Sequence, residues 1–65
     1  PYYTEQLTKA QAAARLRQMS AMLKENRGPG ESVFHARSTG AWIRARRLAS
    51  DAVELAYFKG KNCPC

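Results

Sequence analysis

The chain has 65 residues, a hydrophobic content of 45%, and 11 Lys and Arg against 5 Asp and Glu, a net charge of +6. A chain of this size buries only about 60% of its unfolded surface, so one domain is expected, a deep desolvated cleft is excluded, and association with a second copy or a larger complex is expected to supply missing burial. No apolar run is long enough to span a membrane and no basic start precedes an apolar stretch, so a soluble, cytoplasmic protein without a signal peptide or membrane partner is expected.

Residues 4–26 are nearly all good helix formers, with no Gly or Pro among them, and predict a first long helix. Thr8 and Gln11 have the spacing of a capping box that would start the helix late, but Thr4 followed by Glu5 favours a start one turn earlier. Ala12, Leu16, Met19 and Leu23 then fall on one face as the core seam, while Leu7, Ala14 and Ala21 repeat at seven-residue steps as a second, shallow apolar strip, a candidate protein interface. Asn26, Arg27, Gly28, Pro29 and Gly30 end the pattern and allow a sharp reversal.

Residues 31–37 are expected as a loop or short helical turn that packs Phe34 inward, since no second strand is evident to pair with them. Ser38 or Thr39 suits the N-cap of a second long helix over residues 39–58, with Lys59 in its last turn and Gly60 as its stop. Ala41, Ala45, Leu48, Ala52 and Leu55 align along it, widened by Ala49 and Ala56, which favours close helix pairing. The expected fold is all-α: an antiparallel hairpin of two long helices, residues 4–26 and 39–58, in a single domain of residues 1–60 with a flexible tail of residues 61–65. Tyr2 and Tyr3 would meet Tyr57 and Phe58 at one end of its core, and Trp42 would meet Phe34 at the other.

The functional signal is concentrated in residues 35–47, HARSTGAWIRARR, which hold four arginines, no acid and the only tryptophan. Such a cluster can neutralise phosphates while the indole offers a flat face to a base. Arg37, Trp42, Arg44, Arg46, Arg47 and Lys59 are therefore the candidate contacts to nucleic acid or another anionic partner. Arg47 has Asp51 four residues on as a helical ion-pair partner, which leaves Arg44 and Arg46 the freer of the group. The charge is not lopsided, because residues 1–30 carry five bases against two acids and residues 31–65 six against three.

No chemistry of bond-making is expected. His35 has no companion nucleophile, base or orienting acid, and Cys63 and Cys65 with one distant histidine are too few for a structural zinc site, so neither an enzyme nor a metal or cofactor is expected. The sequence points to a small basic binding protein, its expected partners classed by chemistry alone: DNA or RNA held by an Arg-rich surface on the second helix, with a dimer expected. The alternative is a protein–protein module, such as a small virion or assembly subunit, or an inhibitor or adaptor that docks on a larger complex through Leu7, Ala14 and Ala21.

Overall fold

A computed structural model of the chain describes residues 1 and 3–59, and it overturns the helical hairpin. In chain order the elements are β1 (Tyr3–Leu7), α1 (Lys9–Gln18), β2 (Leu23–Gly28), β3 (Glu31–Ala36), β4 (Ala41–Arg47) and β5 (Val53–Phe58), with a short 3₁₀ turn at Ala49–Asp51. The strands form one antiparallel sheet in the order β1-β5-β4-β3-β2. Strands β2 to β5 are a meander of hairpins. β1 reaches the far edge because α1 carries the chain back across one face before the meander begins.

The helix starts where Thr8 and Gln11 cap one another, not at Thr4: the Thr8 side chain accepts from the Gln11 backbone N–H at 3.2 Å, and the Gln11 side chain accepts from the Thr8 N–H at 3.0 Å. Residues 3–7 pair with β5 instead, so Leu7, Ala14 and Ala21 are not one strip. Leu7 is buried at the end of β1, Ala14 is exposed on α1, and Ala21 is exposed in the turn beyond it. The other seam is cut in the same way, with Ala12 and Met19 buried, Leu16 38% exposed, and Leu23 at 53% exposure in β2.

The expected second helix is a β-hairpin because residues 42–46 alternate. Ile43 and Ala45 are buried on the α1 side, where they join Leu7, Ala12, Met19, Phe34 and Leu55 in the core, while Trp42, Arg44 and Arg46 point the other way. Leu48 donates its N–H to the Ala52 carbonyl at 2.7 Å, closing a loop in which Ser50 and Asp51 take φ of 67° and 63°. Residues 31–37 are not a loop either: β3 has partners on both sides. The β3–β4 turn closes with Gly40 N–H on the Ala36 carbonyl at 2.8 Å, at φ 73°, so the Ser38 and Thr39 expected as N-caps lie in a tight turn that needs its glycine. The reversal at Gly28 to Gly30 stands where the sequence placed it. Gly60, Tyr2, Cys63 and Cys65 lie outside the described residues, as does the tail of residues 61–65.

One polar cluster ties α1 to the sheet. Arg15 donates to both Glu5 Oε1 and the Tyr57 hydroxyl, the latter at 2.8 Å, and Tyr57 donates to the same Glu5 oxygen at 2.8 Å. Tyr3 packs beside it, its ring 5.3 Å from that of Tyr57. The Tyr57 hydroxyl holds the Glu5 carboxyl below its ordinary value of 4.5, with burial opposing and Arg15 assisting. Burial, followed by the Glu5 carboxylate, raises the Tyr57 phenol above its ordinary 10.0.

Because Glu5 is depressed in the folded state, its contribution is complete above pH 4.5 and is lost as pH falls through the lower folded value; the Tyr57 contribution is complete below 10.0 and is lost as pH rises beyond it. Thermal melts should therefore show acid sensitivity that is blunted in Glu5→Gln, with the variant losing most at neutral pH and least below 4.5. Chemical denaturation should separate the two leucines on either side of the core boundary. Leu55→Ala, at a site 1% exposed, should cost about 2–5 kcal/mol, and Leu16→Ala less than about 1 kcal/mol.

Candidate functional site

The side of the sheet away from α1 is the surface to which the arginine segment contributes. Residues directly opposite across neighbouring strands share a face, so the pairings define rows on it. At one end, Leu23, His35, Trp42 and Phe58 form a row across β2, β3, β4 and β5. The next row is Glu25, Val33, Arg44 and Ala56, continued by Thr4 on β1. A third row, Glu31, Arg46 and Glu54, is ionic.

Among the described residues no helix covers this face, yet Val33, Ala56 and Phe58 are 2%, 0% and 8% exposed. Neighbouring side chains bury them. The His35 and Trp42 rings stack at 4.1 Å with 16° between their planes, and the Arg44 guanidinium lies over Phe58, 5.6 Å from the ring centre. Arg44 Nε is buried and has no hydrogen-bond partner among the described residues. A shallow hollow of about 310 Å³ lies at the β2 side of the row, lined by Leu23, Lys24, Glu25, Val33, His35 and Trp42.

The sequence-selected residues divide. Trp42 and Arg44 share this face, and Arg37, exposed in the β3–β4 turn, and Lys59, which follows Phe58 at the end of β5, lie at the aromatic end of the sheet. Arg46 is on the same face but at the other end, donating to Glu54 Oε1 at 2.9 Å. Arg47 belongs to the opposite face, where its backbone N–H bonds the Gly30 carbonyl at 2.7 Å. Its expected helical pairing with Asp51 does not form, because the two residues stand on a strand and in the loop after it. The Arg-rich surface is thus part of β4, not a helix face. Trp42 and Phe34, expected to meet, sit on opposite faces.

Sequence reasoning placed Leu23 and Phe58 in a helical core, and His35 at the head of the arginine segment but not among the candidate contacts. Period two is the signal that would have found His35, since Val33 and His35 alternate with Phe34 as Trp42 and Arg44 alternate with Ile43, whereas Leu23 and Phe58 join the row only through cross-strand pairing. No protein-family model, curated protein or solved structure matches the chain. Among the described residues there is no cluster of three His, Cys, Asp or Glu able to hold a metal ion, and no helix long and apolar enough to cross a membrane.

Trp42 and Phe34 provide a comparison of the two faces. Phe34→Ala removes a ring that is 5% exposed in the core under α1 and should cost about 3–5 kcal/mol in denaturant unfolding. Trp42→Ala, at a partly exposed ring, should cost roughly 1–2 kcal/mol and leave the far-ultraviolet circular dichroism of the sheet in place.

Proposed function

We propose that the aromatic end of the open sheet face binds single-stranded nucleic acid without strong base specificity. The carrying observation is the His35–Trp42 stack beside Arg44 on a sheet face that no other element covers among the described residues. A ring pair of this kind accepts a base on its outer surface, and every base has a face to stack; in a duplex those faces are already occupied. Arg44, Arg37 and Lys59 supply the cations for the phosphates that flank a stacked base. Arg46 is engaged with Glu54, and the carboxylates of Glu31 and Glu54 stand at the far end of the face. This arrangement favours a short segment lying near the β3–β4 turn over a strand that covers the whole sheet. The reading is of a binding protein, with affinity drawn from stacking and from counterion release.

Trp42 is the only tryptophan, so its fluorescence reports the site directly. Titration with single-stranded RNA, single-stranded DNA and duplex at several salt concentrations should give quenching by the single strands and a slope of log affinity on log salt near −2, about 0.7 for each of three neutralised phosphates. With a labelled oligonucleotide, Trp42→Ala should lose about 1–3 kcal/mol of binding, Arg44→Ala should weaken all sequences alike and flatten the slope, and Arg46→Ala should do little. Equal binding of duplex and single strand, undiminished in Trp42→Ala, would overturn the reading, as would no binding at physiological salt.

A further inference from the structure

The opposite face has a second unfilled feature. With side chains, a helix is about 10–12 Å wide, and five strands at a spacing of about 4.8 Å span roughly 19 Å, so α1 alone leaves the β2 side of its own face uncovered. Two adjoining hollows of about 260 Å³ each result. One lies between α1 and the strands, lined in part by Leu16, Lys24, Ser32, Phe34 and Arg47; the other is lined by Lys9, Ala12, Ala13, Leu16, Arg47, Asp51 and Val53. Leu16, Arg47 and Val53 belong to both, which makes the pair one trough with an apolar floor. Leu16 is among the large apolar side chains left exposed, at 38%.

The trough is bordered by Lys9, Lys24 and Arg47 against Asp51; Glu31 also borders it, at a strand position whose side chain belongs to the ionic row of the other face. None of the three cations forms an ion pair among the described residues; Lys24 instead rests over the Phe34 ring at 5.9 Å. Helix α1 itself carries Lys9, Arg15 and Arg17 and no acid. A basic rim around an apolar floor fits a segment of the opposite pattern.

We propose that this trough docks an acidic segment of a different protein, which places one apolar side chain against Leu16 and Val53 and carboxylates toward Lys9, Lys24 and Arg47. A second copy of the chain does not supply that pattern. Its Glu5, Glu25 and Glu54 are paired with Arg15, Arg27 and Arg46, Glu31 stands opposite Arg46 in the ionic row of the other face, and Asp51 itself lines the trough. The hollows accept a side chain or two, not a helix laid at full width. The site is on the face opposite the aromatic row, so occupation of one leaves the other open.

The test uses the full chain, isotope-labelled, and short synthetic peptides in which leucines are spaced among glutamates, with a second peptide that has lysine at every glutamate position. Amide shifts at Leu16, Lys24, Arg47 and Val53 with the glutamate peptide, and none with the lysine peptide, are the expected result. Lys24→Glu with Arg47→Glu should weaken binding about tenfold or more, two exposed ion pairs having been made repulsive. If that double variant unfolds, Lys9→Glu and Leu16→Gln, both at exposed positions, should each weaken binding with the amide spectrum otherwise unchanged. Trp42→Ala should bind the peptide as the parent chain does, which separates this result from the fate of the nucleic-acid reading. Equal binding of both peptides, shifts confined to His35 and Trp42, or no binding of the glutamate peptide would overturn the proposal.

Discussion

Among the described residues one ten-residue helix has to serve a five-stranded sheet, and this shortage of cover shapes both faces of the molecule. Burial under α1 is possible only for the middle of one face, where Phe34, Ile43, Ala45 and Leu55 meet Ala12 and Met19. The Arg15, Glu5 and Tyr57 cluster holds the helix at that place by linking it to β1 and β5 together. Its hydrogen bonds are mutually dependent, since each polar group satisfies another that would otherwise be half-buried without a partner.

The open face meets the same shortage by different means. Val33 and Ala56 are fully covered there by long or planar neighbours, with Arg44 laid over Phe58 and Trp42 against His35. Such cover is adaptable. A guanidinium or an indole that shields an apolar floor can turn its outer surface to a base or phosphate without opening the core beneath it. The face most in need of cover is therefore also the one to which binding is proposed, and the segregation of its rows, aromatic at one end and ionic at the other, gives the proposed contact a location.

Much of the local punctuation was legible in the sequence. The reversal at Gly28 to Gly30, the inward Phe34 and the meeting of Tyr3 with Tyr57 are each visible in residue type or position, as is the Thr8–Gln11 cap that a start at Thr4 was preferred to, although the tyrosines meet across strands and not between helices. The fold class was not, and alanine is the reason. Ala41, Ala45, Ala49, Ala52 and Ala56 extend a helical stripe across what is a strand, a turn and a second strand, and high helix propensity settles the choice wrongly when the tertiary pairing is unseen. The hairpin between β4 and β5 turns at Ser50 and Asp51, both at positive φ, with no Gly or Pro to announce it. β2, exposed at all six positions, has no buried face to impose an apolar period. Of the candidate site, Trp42 and Arg44 were legible as chemistry, whereas Leu23 and Phe58 depend on cross-strand register that no local pattern contains.

The most direct test of the account is an amide chemical-shift map of the labelled chain with a single-stranded homopolymer as the only addition. The account predicts shifts concentrated at Leu23, His35, Trp42, Arg44 and Phe58, with α1 silent. Shifts spread over Lys9, Arg15 and Arg17, with Trp42 and His35 unmoved, would contradict it and reduce the interaction to attraction between a basic protein and any polyanion.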